Sequence, residues 1–169
     1  MLAGIAGLLR QDYVNPEVDP WADSPFGWIR SRPSRQRGTI GEQLVAGWAA
    51  AKGLDVVRSG DAEADRVING RRVEIKFSTL WEKGDYVFQQ IRDQRYELAI
   101  LLGISPFAAS CWVVPKSALL GVEHEGLSGQ HAGRRARDTS WLRFPASRPH
   151  AWLADFGGTL AAAHRLLAG

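Results

Sequence analysis

Residues 64–81 read ADRVINGRRVEIKFSTLW, and the fold turns on how this stretch is paired. Asn69-Gly70 separates two short apolar runs, the signature of a tight hairpin. In the second run Val73, Ile75 and Phe77 alternate with Glu74 and Lys76. A strand has a side-chain period of two, so the carboxylate and the ammonium share one face and Ile75 points to the other, into a core. Asp65 begins the preceding strand, and antiparallel pairing carries it towards Glu74 and Lys76. One hairpin thus aims an Asp, a Glu and a Lys at a single region.

Those residue types suit phosphodiester hydrolysis, which needs neutralised phosphate charge and an activated water. Asp and Glu carboxylates are hard oxygen ligands for Mg²⁺, which keeps part of its water shell and accepts phosphate oxygens. A bound metal lowers the pKa of its water and stabilises developing negative charge. Lys76 beside the carboxylates can hold that water and face the phosphate, and the backbone carbonyl of Ile75 is a further candidate ligand. The bland alternative is a salt-bridge ladder on an exposed strand, worth little to stability.

Asp65, the hairpin and Glu74-Ile75-Lys76 together resemble the restriction-endonuclease-like nucleases of the PD-(D/E)xK superfamily. The helix-like stretch GEQLVAGWAAAKG supplies Glu42 where many members carry a helical Glu, and KGLDVVRSG resembles the helix exit and first strand. Ala64 stands where the motif has its proline. The resemblance spans roughly residues 41–115. It implies Asp65 and Glu74 as metal ligands, Lys76 positioning the nucleophilic water, and Glu42 holding a second metal or its waters. Gln90 or Gln89, in YVFQQIRDQRY, would bond the scissile phosphate or tune Lys76. A Gln-x-x-x-Tyr motif found in some relatives is absent, because Arg92 lies four residues before Tyr96. The implied cofactor is Mg²⁺, with Mn²⁺ able to substitute.

The remainder of the chain bears on the partner. It has 169 residues, 45% hydrophobic and 23% charged, the composition of one globular domain. Net charge is only +3, yet the arginines cluster: Arg30, Arg32, Arg35 and Arg37 in one stretch, Arg134, Arg135 and Arg137 in another. Two such clusters favour a polyanion over two merely solvated loops. With the resemblance they imply double-stranded DNA, held by Arg32, Arg35, Arg37, Gln89 and Arg92 and read by a loop carrying Gln130, His131, Arg134, Arg135 and Arg137. Asp61 and Glu63 are read as loop acids near the site. The four histidines have no metal-ligand spacing. No Walker-type loop or nucleophile elbow occurs, so no nucleotide cofactor or serine nucleophile is expected. The single cysteine, Cys111, reads as a buried small hydrophobe. No segment is long enough to span a membrane, and MLAGIAGLLR lacks a positive n-region, so a cytoplasmic protein with an N-terminal helix or docked arm is expected.

The expected fold is α/β or α+β, a mixed central β-sheet flanked by helices, in a single nuclease domain over residues 1–169. Residues 1–38 form an arm pinned by Trp21, Phe26 and Trp28, 39–116 the catalytic core, and 117–169 an extension with the DNA-reading loop. A short helix is expected around residues 91–95 and another over KSALLGVEHEG, then a polar loop over 126–139, a strand at SWLRF and a terminal helix at TLAAAHRLLA. Trp48, Trp81, Trp112, Trp141 and Trp152 are assigned to core packing. The resulting expectation is a homodimeric, Mg²⁺-dependent endodeoxyribonuclease of restriction type. A junction-resolving or repair enzyme and a non-catalytic DNA-binding module are the alternatives.

Overall fold

The computed structural model describes residues 2–13, 19–121, 127–130 and 139–169. In chain order these form α1 (Leu2–Tyr13), α2 (Gly27–Arg30), α3 (Ser34–Ala51), β1 (Val56–Arg58), β2 (Arg66–Ile68), β3 (Arg71–Thr79), β4 (Asp85–Ile91), β5 (Leu98–Ile104), β6 (Ala109–Pro115), α4 (Lys116–Leu119), β7 (Leu127–Gln130), β8 (Thr139–Pro145), a 3₁₀ turn (Ala151–Phe156) and α5 (Leu160–Ala168). The Asn69-Gly70 hairpin is present. Both residues have positive φ, 48° and 78°, and Ile68 pairs with Arg71 across a two-residue loop, the primed turn that matches strand twist.

The central sheet has the order β1-β2-β3-β5-β6. It is mixed: β3 and β5 run parallel and the other neighbours antiparallel. Val45 and Ala49 of α3 and Ala163 and Leu167 of α5 cover one face, packed on Val73, Ile75, Ile100, Leu102 and Val113. The opposite face is covered mainly by a second sheet, ordered β4-β8-β7. There Tyr86, Phe88, Leu142 and Phe144 pack on Ala99, Leu101, Trp112 and Val114. Trp112 and Phe144 meet edge-to-face with centroids 5.2 Å apart, a preferred aromatic geometry. Cys111 is fully buried, and burial pushes its thiol up to about 12.

The expected α+β class with a mixed central sheet flanked by helices is therefore observed. Several local expectations are not. YVFQQI forms a strand outside the one central sheet expected, because its partner is β8, some 49 to 60 residues away in sequence and outside the reach of local pattern. Residues 92–97 form no helix; Tyr96 Oη donates to the Arg92 carbonyl at 2.9 Å and Lys116 Nζ to that of Gln94 at 2.8 Å, holding the segment irregular. The helix after β6 stops at Leu119, and Leu127–Gln130 is a strand where a loop was expected. The N-terminal helix forms, but Leu2, Ile5, Leu8 and Leu9 are exposed rather than docked. Within the arm Trp21 is buried and Trp28 exposed. No described helix is long and apolar enough to cross a membrane.

Helix α3 does most to place the site. It starts at Ser34, directly after Pro33, so Arg35 and Arg37 belong to its first turns rather than to a loop. Gly41, Val45 and Ala49 form its buried stripe, spaced one turn apart. Its end is a Schellman motif: Gly53, at φ 81°, donates to the Ala50 carbonyl and Leu54 to that of Ala49. At Gly41 a Cβ would collide with Phe77 of β3. The missing side chain is what lets α3 approach β3 and carry Glu42 over the strand edge. Gly41→Ala is accordingly expected to destabilise the fold by about 1–3 kcal/mol, the usual cost of overpacking, read as a lower urea midpoint with unchanged slope.

Candidate active site

Strand β2 is short. It pairs with β3 only at residues 71–73, which leaves one edge of β3 unpaired from Glu74 onwards. Asp65 stands where β2 leaves that edge. Its N–H donates to the Val73 carbonyl at 2.9 Å, and its Oδ2 accepts the Ile75 N–H at 2.7 Å. A strand residue sends its N–H and C=O to the same side, so the Ile75 carbonyl faces the open edge while its side chain lies in the core. Beyond this edge is a cleft of about 650 Å³, whose walls include Glu42, Asp65, Lys76 and Gln90.

Glu74 and Lys76 share a face, as the alternation requires. Lys76 Nζ lies 2.7 Å from Glu74 Oε1, and both side chains are largely buried. Glu42 comes down from α3, with its Oε2 3.6 Å from Arg66 Nη1. Burial pushes the Glu74 carboxyl above its ordinary range; Lys76 opposes this and Asp65 adds to it. Glu42 is likewise raised, first by burial and then by Asp65, with Arg66 opposing. Glu42, Asp65 and Glu74 thus oppose one another's charge, and Arg66 and Lys76 offset that opposition in part. A bound cation would favour the charged forms.

Gln89 and Gln90 both border the cleft. The β4–β8 register slips by one residue between Phe88 and Ile91, and Gln90 takes φ 56°. This is a β-bulge, the device by which a strand re-aims side chains. Arg35 and Arg37 line the cleft from the first turns of α3. Arg32 does not; its guanidinium donates to Ser31 Oγ. Arg92 is not among the cleft residues either. Its charge bears on Glu74, and its Nε is buried without a partner. Asp61 and Glu63 are committed to Arg72 and Arg95. Gln130 ends β7, while His131, Arg134, Arg135 and Arg137 lie outside the described residues. Thr39 and Trp81 also border the cleft and were missed from sequence. Trp81, assigned to the core, is 44% exposed; nothing local distinguishes it from the buried tryptophans.

No protein-family model matches the chain, and no match is found among curated proteins. Among solved structures, a bacterial homing endonuclease is similar at 22% identity, over 63% of this chain and 81% of that one, with a TM-score of 0.43.

Gln90 tests the bulge. A β-branched residue is a poor occupant of positive φ, so Gln90→Val is expected to lower stability by about 1–3 kcal/mol. Gln90→Gly, which tolerates that φ, should stay near the parent in urea denaturation. Glu42 tests the charge crowding. Its folded pKa lies above the free value of 4.5, so between the two values the folded chain holds more protons than the unfolded one. Stability therefore falls as pH rises through that window and stays lowered at neutral pH. Glu42→Gln should raise the melting temperature at neutral pH, and the gain should vanish once pH drops below 4.5. The pairing with half-buried Arg66 at 3.6 Å, lost with it, offsets part of the gain.

Proposed function

We propose that this chain is a metal-dependent endonuclease that hydrolyses phosphodiester bonds of double-stranded DNA, in the manner of a restriction-type enzyme, acting as a homodimer with one cut per protomer. The observation that carries the reading is that Asp65, Ile75 and Lys76 meet at one strand edge in a cleft walled by Arg35 and Arg37, with Glu74 2.7 Å from Lys76 beside it. A mere surface ladder of charges would not be buried, nor open onto a cleft.

The donor set fits a hard cation. No described group of three Asp, Glu, His or Cys side chains is close enough to hold a metal, so a zinc-type cage is not the match. Two carboxylates, Asp65 and Glu74, with one backbone carbonyl suit Mg²⁺, which is commonly held by one or two carboxylates with water and substrate phosphate completing its shell. Mn²⁺, with the same oxygen preference, would substitute. Bound there, the ion would supply an acidified water and stabilise charge on the phosphate.

The chain's own groups divide the remaining work. Lys76, fixed by Glu74 at 2.7 Å, holds the attacking water by donating to it and presents positive charge to a non-bridging phosphate oxygen. Glu42 accepts from waters on the α3 side. Gln90 and Gln89 donate amide N–H groups to the scissile phosphate from the bulge. Arg35 and Arg37 neutralise flanking phosphates. The water gives up a proton to solvent as its oxygen forms the new P–O bond, the old P–O bond breaks, and the leaving oxygen takes a proton from solvent.

The test is incubation of the purified chain with sequence-diverse duplex DNA in Mg²⁺ and in EDTA, beside Asp65→Ala, Glu74→Ala and Lys76→Ala. Discrete fragments that require Mg²⁺ are expected. Each variant should lose about 100-fold or more of the cleavage rate while keeping its affinity for DNA. Full activity in any of them would remove that residue from the mechanism, and DNA left intact by the parent would sink the nuclease reading.

A further inference from the structure

Next to the cleft, and sharing Arg37, Thr79 and Trp81 with it, runs a groove that also takes in Arg30, Lys83 and Arg143. Only one acid, Glu82, lines it. The cations differ in availability. Arg143 is held by Asp85, at 2.6 Å from its Nε, and Arg30 by Asp19 at 3.3 Å. Arg37 and Lys83 have no ion pair among the described residues. The indole of Trp81 lines the same groove and is 44% exposed, a large apolar surface left in water.

The backbone that carries that indole is braced. Trp81 N–H donates to the Asp85 carbonyl at 2.9 Å and Gly84 N–H to the Trp81 carbonyl at 2.8 Å. Gly84 sits at φ 81°, so the β3–β4 connection is a tight turn that ends on a left-handed glycine. Ala146 N–H braces it by donating to the Gly84 carbonyl at 2.9 Å. An exposed indole on a braced turn, flanked by uncommitted cations and bordering a hydrolytic cleft, is a stacking platform beside a phosphate track.

We propose that Trp81 stacks on an unstacked base of the DNA strand, next to the phosphate held in the cleft, while Arg37 and Lys83 take the phosphates on either side. This rests on the nuclease reading and adds a requirement to it. A paired base offers no free π-face at its strand's edge, so the duplex must open locally for the contact to form. DNA that already carries an unpaired base at that point has met the opening cost and binds more tightly. Recognition then depends on how easily the duplex is deformed as well as on its base edges.

The experiment uses the full chain as Lys76→Ala, so that DNA is bound without being cut. Its probes are a duplex with one unpaired fluorescent adenine analogue and the fully paired duplex of the same sequence. The parent is expected to prefer the unpaired probe and to quench its fluorescence. Adding Trp81→Ala should weaken that probe's binding by about tenfold, abolish the quench and leave the paired duplex nearly unaffected. Trp81→Phe should restore most of both. Equal affinity for the two probes, or an unchanged quench in Trp81→Ala, overturns the stacking role while leaving the nuclease reading in place. Failure of the parent to bind either DNA overturns both.

Discussion

The hydrogen bond from the Ile75 amide to the Asp65 carboxylate, 2.7 Å long, is the contact on which the site depends. Strand β2 ends too early to pair with the rest of β3, and an unpaired strand edge normally invites another chain or a loop to cover it. Here a side chain, not a backbone, takes the next position in the ladder. That substitution satisfies the amide, whose burial would otherwise be costly. It also fixes one carboxylate oxygen and leaves the Ile75 carbonyl facing outward. A longer β2 would restore regular pairing and close the cleft. The break in the sheet and the open cleft edge are here one feature.

Charge is the second constraint. Glu74 is buried and Glu42 half-buried, and Asp65 raises both against ionisation. Lys76 and Arg66 offset part of this repulsion and leave the rest standing. A core built for stability alone would replace such a group with apolar side chains at no loss, since buried ion pairs seldom repay their desolvation. Retaining it costs stability at neutral pH, and a cation is the species that would return it. The apolar side of β3 shows the contrast: Val73 and Ile75 pack under α3 with no polar atom to satisfy.

How far the sequence carried the reading follows from the range of the interactions. Asp65, Glu74 and Lys76 were legible because their relation is set by a two-residue turn and a period of two, both local. Helix α3 was legible over GEQLVAGWAAAKG for the same reason, although its start was not: the arm was set to run to residue 38, whereas the helix opens at Ser34 directly after Pro33. The second sheet was not legible, because β4 and β8 find each other across most of the C-terminal half. The bulge at Gln90 depends on that same pairing, so its backbone could not be foreseen even though the glutamines were singled out. Trp81 was misassigned because exposure is decided by what packs against a residue, and its sequence neighbours resemble those of the buried tryptophans.

The departures from ordinary folding rules cluster instead of scattering. Among described non-glycine residues only Asn69 and Gln90 have positive φ, and Asn69 occupies a turn that requires it. That leaves Gln90 as the strained position, and it borders the cleft. Among the described residues the one buried side-chain nitrogen without a partner, Nε of Arg92, belongs to a charge that acts on Glu74. Of the mutually opposed carboxylates, Glu42 and Asp65 border that cleft, as does the exposed Trp81, and Glu74 stands on the strand beside it. Each of these has a cost, through strain, desolvation or unburied apolar surface. Independent accidents of folding would fall at unrelated places. Their coincidence around one cleft is what a sequence looks like where selection has held a site against stability, and it points to that cleft without reference to any motif.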